Sequence, residues 1–375
     1  MAEMEAKYPH LGFREWPFQV VPDENFVKIW ADRKEILDDI QIILNTLERR
    51  EQSTINLLWA WYGEGKSHTL KHICYLCHTT FCDLLPVYIE FPRTIRSFLD
   101  LYVYFITGLG EKVIKELAAE GGADESFVTI YPEFSKALKL MRSKSLPQQR
   151  MGAKWIMGNT MLSPSARKLG LNRPIENSDD AVRAMTCIMK MVKLSTKYHR
   201  ILWMIDEFQR IRTEKPDIYE DINTGLHSVY NACPNNLSLF LSFSVRQQQN
   251  IFSLLSKEII DRIGIQKIIA IHPLSAKESL TFVSDLMHEF RIDPGAVDSP
   301  FFPFEEDAVK FIVSLIEKNS ELKPRAIMQY FNAVMEQADF RIARGEMQVI
   351  DLEFAKGILL DYDLFLSFQK ESLLR

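Results

Sequence analysis

No stretch of this 375-residue chain reaches the roughly 18 to 20 consecutive apolar residues that a membrane span requires. The N-terminus, MAEMEAKYPHLGF, carries acids where a secretory signal would place a basic and then an apolar run. Both absences point to a cytoplasmic protein with no membrane partner. Cysteine is sparse: Cys74, Cys77, Cys82, Cys187 and Cys233 are odd in number and unevenly scattered, which argues against a disulfide framework. Zinc is not expected either, although HICYLCHTTFC gathers His72, Cys74, Cys77, His78 and Cys82, because no second CxxC pair accompanies it. As a helix this segment puts Cys74 and Cys77 on one face as small apolar fillers. There is no global basic surplus: a net charge of -5 and a pI near 6.0 do not announce a nucleic-acid binder, though local patches could still serve one. Internal repeats and low-complexity tracts are absent.

The chain has the means to build a core, being 47% hydrophobic and 25% charged. Five short apolar runs, INLLWAWYG, LPVYIEF (85–91), ILWMID (201–206), LSLFLSFS (237–244) and KIIAIHPL (267–274), read as strands buried on both faces. Helical patterns separate them, so the expected class is α/β with a five-stranded parallel sheet. Ile36, Leu37, Ile40, Ile43, Leu44 and Leu47 recur at helical spacing and predict a first helix over 30–50. Ahead of it, LGFREWPFQVVPDENF is aromatic and proline-rich, which predicts an extended arm over 1–28, since Pro17 and Pro22 disfavour helix. Residues 29–274 then form the core. About a hundred residues separate the second and third strands, more than one crossover helix needs. They predict an insertion over 98–195, with helices near 98–118, 134–144 and 179–196, suited to a protein partner. Beyond 275 four amphipathic patterns, the first opening with a Ser275 to Glu278 capping box and the last over 351–368, predict an all-helical domain over 275–375.

The segment LLWAWYGEGKSHTL carries the chemistry. Ala60 to Ser67 match G-x-x-x-x-G-K-[ST] at every position but the first, where Ala60 replaces glycine. Gly63 and Gly65 let consecutive backbone amides curl around phosphate oxygens, and the helix that follows turns its N-terminal dipole toward the anion. Lys66 would bridge the β- and γ-phosphates and the Ser67 hydroxyl would ligate Mg²⁺. With Glu64 and His68 these are the candidate nucleotide contacts. The first position only begins the turn out of the strand, so alanine is expected to serve there if its φ stays negative.

The second half of the site is RILWMIDEFQRI, an apolar strand ending in two acids. Asp206 suits a Mg²⁺ partner and Glu207 a base for the attacking water. Both would lie with the loop at the carboxyl edge of one parallel sheet, where ligands bind.

With these motifs the chain resembles the AAA+ class of P-loop ATPases. That resemblance implies a polar residue on the next strand that senses the γ-phosphate, here Ser242 in preference to Ser244. It implies Arg262, in LLSKEIIDRIGIQKIIAIHPLS, as an arginine reaching a neighbouring subunit's nucleotide. ELKPRAIMQ is similar to the second sensor, with Arg325 opening a lid helix after Pro324. IWADRKEILDDI is similar to a motif of an apolar pair, glycine, arginine and acid, with Asp32 in the glycine's place before Arg33; that motif implies contacts on the adenine side and adds Arg33 to the nucleotide contacts. The arm resembles that of secretion and transposition-regulator ATPases of the origin-recognition branch. YGEGKSHTL, WIMGNTMLSPSARKLGLNRPI and ILWMIDEFQRI are similar to ATPases of bacteriophage-exclusion systems. The resemblance implies ATP and Mg²⁺ as cofactors and self-association into an AAA+ oligomer.

DNA is a further candidate partner. Arg142, Lys144, Arg150, Lys154, Arg167, Lys168 and Arg173 make the insertion basic, with Trp155 among them, which fits either a phosphate-neutralising surface or a solvated face. No base-reading helix is evident, and a chain ending at 375 is expected to lack an appended DNA-binding domain. Three functions follow as expectations. The leading one is an ATPase that assembles or remodels a partner complex in phage defence or mobile-element control. The others are a nucleotide-gated scaffold with little hydrolysis and a monomeric kinase, the last with no acceptor pocket in sight.

Overall fold

The computed structural model describes residues 6–19, 26–121, 125–158, 164–245, 249–263 and 268–360. Pro22 with the proline-aspartate turn of the arm, residues 159–163, residue 267 and the part of the last expected helix beyond 360 lie outside these. The chain divides into two compact units, one of Asp38–Tyr62 and Lys66–Ile271, the other of Met1–Leu37, Gly63–Gly65 and His272–Arg375.

The first unit is built on the five expected strands. After α1 (Lys34–Arg49) come β1 (Thr54–Ala60), α2 (Lys66–Thr79), β2 (Leu84–Glu90), a long helical segment, β3 (Arg200–Asp206), β4 (Leu237–Ser244) and β5 (Ile268–Ala270). All pairings are parallel and the order is β2-β3-β4-β1-β5. β3 and β4 are buried along their whole length, the reason their sequences are continuously apolar. β2 is an edge strand, which is why it tolerates Pro86. The register aligns Glu90 with Asp206 and Ala60 with Ser244, bringing the C-terminal ends of four strands to one edge.

At the opposite edge Arg200, fully buried, ties the end of α1 to the sheet. Its guanidinium donates to the carbonyls of Leu47 (3.1 Å), Gln52 (3.0 Å) and Arg50 and to Ser238 Oγ (3.1 Å). A cation suits a helix C-terminus, where unpaired carbonyls collect. Burial still pulls its pKa down to about 10.

The segment between β2 and β3 folds as α3 (Phe98–Leu109), α4 (Glu111–Gly121), α5 (Ser126–Ile130), α6 (Pro132–Met141), α7 (Leu146–Ile156), α8 (Pro164–Lys168) and α9 (Ser178–Leu194). The single helix expected over 98–118 is two, because Gly110 takes a left-handed φ of 84° and caps α3. α7 carries no marked apolar period and escapes sequence reading. Trp155 also departs from expectation. Its indole is buried beside Tyr131 and Phe134 and donates to the Arg173 carbonyl (2.8 Å), so it is a core residue and not part of the exposed basic face.

α6 and α7 pack backbone to backbone at Gly152. A Cβ there would lie 2.4 Å from the Ala137 carbonyl oxygen and 3.0 Å from the Met141 nitrogen. Alanine contributes about 1 kcal/mol of helix propensity, but forcing two helix backbones apart costs about 3 kcal/mol, the upper end for overpacking. Gly152→Ala is therefore expected to lower the urea midpoint, a net loss of about 2 kcal/mol.

α10 (Pro216–Ala232), α11 (Gln249–Phe252) and α12 (Lys257–Ile260) complete the first unit. The second contains α13 (Ala276–Phe290), α14 (Glu306–Asn319), α15 (Pro324–Ala343) and helical residues 352–360. The Ser275–Glu278 capping box is present at α13. Leu11, Phe13, Phe18 and Phe26 are buried in one core with these helices, Phe18 against Phe304 and Phe331. The arm is thus not extended throughout. A 3-10 turn over Pro9–Leu11 ends at Gly12 in the left-handed region, and Tyr8 pairs back with Phe13. Among the described residues no helix is long and apolar enough to cross a membrane.

Candidate nucleotide site

The loop leaves β1 at Ala60, which is fully buried and is not among the residues of positive φ. Nothing in its backbone demands glycine. Gly63 (φ 84°) and Gly65 (φ 104°) do take conformations that side chains rarely adopt. α2 begins at Lys66, directly after the second glycine. His68, half-buried in its first turn, stacks on His72 at 6.1 Å. Further along α2, burial pushes the Cys74 thiol up to about 12, as befits a protonated filler.

Asp206, at the tip of β3, collects four donors. Its Oδ2 accepts from Ser67 Oγ (2.5 Å) and Tyr88 OH (3.1 Å), its Oδ1 from Ser242 Oγ (2.7 Å) and the Glu207 amide (2.8 Å). Ser242 is therefore the β4 residue that meets Asp206. Ser244, two residues on and so on the same strand face, reaches the next acid: its hydroxyl donates to Glu207 Oε1 (3.1 Å). Glu207 Oε2 accepts from Gln209 Nε2 (2.8 Å), and Gln209 Oε1 in turn accepts from the Ser244 amide (2.9 Å). The buried Lys66 ammonium lies 4.0 Å from Glu207 Oε1. Glu207 sits at φ 56°, a left-handed conformation whose cost is of order 1–3 kcal/mol and which clusters at functional sites.

The structure thus brings Lys66, Ser67, Asp206, Glu207 and Ser242 together. Tyr88, Gln209 and Arg210 were missed. Burial, then the nearby Asp206 charge, pushes the Tyr88 phenol well up, so it stays a donor. Arg210 bridges Glu90 (2.6 Å) and the Phe91 carbonyl (2.7 Å) and approaches Glu207 Oε2 at 3.8 Å. The alternation on β2 and the polar residues after Asp206 were the signals available. The donor set is fit for a hard cation: a hydroxyl and a carboxylate oxygen side by side, with few protein ligands, is what Mg²⁺ accepts while keeping its waters. Arg262 is not part of this cluster. It is exposed at the turn after α12, its amide bonded to Ile259 and its charge felt by Tyr230.

In the other unit, Gly63 to Gly65 meet Arg33 and Arg325. Arg33 Nη1 donates to the Glu64 carbonyl (2.5 Å) and Nη2 to the His272 carbonyl (2.6 Å). The Arg325 amide, in the first turn of α15, donates to the Gly63 carbonyl (3.3 Å) while its side chain is exposed. Burial pulls the Arg33 guanidinium down to about 10.

Asp32 and Arg33 both have left-handed φ, 54° and 53°, which explains a glycine preference at the first. The Asp32 amide donates to Asp285 Oδ2 (3.0 Å), while its own Oδ2 is buried without a partner among the described residues. Burial above all holds the Asp32 carboxyl above its usual range, and Glu278 and Asp285 add to this. A raised folded-state pKa means the penalty is full at neutral pH and vanishes as Asp32 protonates. Asp32→Asn, which tolerates the same φ, is expected to raise the urea midpoint at pH 7, with the gain lost below about pH 4.

No protein-family model matches the sequence, and no curated protein matches it. Solved structures do. The Aeropyrum pernix ORC1 protein, in a complex with DNA, is 11% identical over 93% of this chain and 69% of its own, with a TM-score of 0.53. The Aeropyrum pernix ORC2 protein, in ADPNP–ADP complexes, is 14% identical over 90% of this chain and 71% of its own, with a TM-score of 0.54. Its ADP form gives 13% identity, 90% and 70% coverage and 0.52. At such identities the likeness is one of fold, an α/β AAA+ P-loop core with a five-stranded parallel sheet.

Proposed function

We propose that the chain is an AAA+ ATPase that binds and hydrolyses MgATP at subunit interfaces to assemble or remodel a partner complex. The observation that carries this is Asp206, whose carboxylate is shared between the Ser67 hydroxyl that follows the loop lysine and the Ser242 hydroxyl of the adjacent strand. Backbone amides of Gly63, Glu64 and Gly65, with Lys66 and His68, bind the triphosphate. Ser67 and Asp206 hold Mg²⁺, which when bound neutralises phosphate charge. Glu207, oriented by Ser244 and Gln209, takes the proton of the attacking water, and Ser242 reports the γ-phosphate. Arg262 serves a neighbour's site and Arg325 reports nucleotide state to the helical domain.

The proposed division is an arm over 1–28, a core over 29–274 and a lid over 275–375. The insertion over 98–195 takes the protein partner or DNA. Residues 134–175 carry nine lysines and arginines and no acid in a chain whose net charge is -5, and all seven cations named above are exposed. Such a face neutralises phosphates. The complex with DNA of the Aeropyrum pernix ORC1 protein supports this reading, and phage defence or control of mobile elements is its proposed setting in the cytoplasm.

A second reading, a nucleotide-gated scaffold with slow turnover, is favoured by the engagement of both Glu207 oxygens, by Ser244 and Gln209. One experiment separates the two. Phosphate release with and without duplex DNA is measured beside size exclusion with ATP or no nucleotide. Turnover with ATP-dependent assembly supports the ATPase, assembly without turnover the scaffold, and no nucleotide binding removes both.

A further inference from the structure

We infer that Arg33 is a positioning residue that presets the phosphate loop, rather than a contact to the nucleotide base; the inference rests on the ATP-binding reading above. A trans peptide is planar, so its C=O and the following N–H point in opposite directions. Arg33 Nη1 holds the Glu64 carbonyl and therefore turns the Gly65 N–H to the far side of the loop. The Arg325 amide holds the Gly63 carbonyl and does the same for the Glu64 N–H. Two consecutive amides are thus each turned away from the donor that holds the carbonyl before it, and consecutive fixed amides are what a phosphate cradle needs.

Arg33 is suited to this and to little else. Its guanidinium is planar and presents a fork of fixed donors, and both arms are spent on main-chain oxygens, Glu64 through Nη1 and His272 through Nη2. The second arm carries the coupling further. His272 follows Ile271, which hydrogen-bonds to Trp59 beside the end of β5, and precedes α13, so the loop and the start of the helical segment share one cation. Gly65 takes part as well, through its φ of 104°, which side chains rarely adopt; a Cβ there would meet Arg33 Nη1 at ordinary contact, 3.5 Å. The left-handed φ of Arg33 itself is backbone strain accepted where it aims the side chain at the loop. A lysine can satisfy one of these carbonyls but has no fork to bridge two.

The test uses the full chain and three ligands with Mg²⁺: ATP, GTP and inorganic tripolyphosphate. Arg33→Lys is expected to weaken all three by a similar factor, about tenfold to hundredfold, the size of a lost charged hydrogen bond, with the ATP-to-GTP ratio unchanged. Arg33→Ala is expected to lose at least as much and to regain part of its affinity in millimolar guanidinium chloride, a rescue that a misfolded chain would not show. Thermal melts of the free variants report any general loss of fold. Unchanged affinity for all three ligands in a folded variant overturns the inference, and so does weakening confined to ATP, which would return Arg33 to the base. A wild-type chain that binds none of the three fails at the earlier step, the ATP-binding reading itself.

Discussion

Glu207→Gln is expected to slow steady-state phosphate release by about 10²- to 10⁴-fold, the usual contribution of a positioned general base, while MgATP binding stays within about threefold of wild type. The amide keeps the length and the left-handed backbone of the glutamate, and its oxygen can still accept from the Ser244 hydroxyl, which lies 3.1 Å from Oε1 in the native protein. It cannot take a proton from water. The amide nitrogen would also face the Gln209 Nε2 donor, now 2.8 Å from Oε2, so one hydrogen bond inverts or is lost. Lys66 loses a carboxylate 4.0 Å away, which frees its charge for phosphate and makes tighter ATP retention the expected side effect. Stopped turnover with intact binding is therefore the signature, read by phosphate release beside titration of ATP. Undiminished hydrolysis would remove Glu207 from its role and leave the acid as a structural partner of Lys66, Ser244 and Gln209.

The strands were readable because burial on both faces forces continuous apolarity, and β1 to β4 emerge with their register ends where the apolar runs stop. Asp206 and Glu207 were legible for a related reason. Charges that close a buried strand have to sit at the sheet edge, and in a parallel sheet that edge is where ligands bind. Ala60 was resolved by backbone geometry, since only a positive φ would have required glycine. The break at Gly110 was hidden because its flanks are helical in period, and one left-handed residue between them leaves no compositional mark. Tyr88 and Gln209 stayed hidden as well. Their roles depend on which strand neighbours β3 and on the turn after Asp206, neither of which is encoded locally. Arg33 was found as a residue type, without the partners of its side chain. A motif specifies residue types, and only coordinates reveal that both arms of the guanidinium end on carbonyl oxygens.

Arg262→Ala is expected to abolish hydrolysis as fully as Glu207→Gln, by about 10³-fold or more, because an arginine that meets the transferring phosphoryl group contributes on that scale. Within its own chain Arg262 is exposed at the turn after α12 and takes no part in the bonds around Asp206 and Glu207. Its exposure is what a residue serving a second copy requires, and that makes a sharper test than loss of activity. If each site draws Glu207 from one subunit and Arg262 from the next, an equal mixture of the two inactive variants recreates intact sites at about a quarter of the heterologous interfaces. Mixed oligomers should then regain up to about a quarter of the wild-type rate, from parents that each have almost none. Premixing followed by phosphate release checks this, with Arg262→Lys as a control that keeps charge and loses the fork. Mixtures as inactive as their parents would mean that Arg262 acts within its own chain, and a parent Arg262→Ala that stays active would mean that it does not act at all; either way the subunit-interface site would fall.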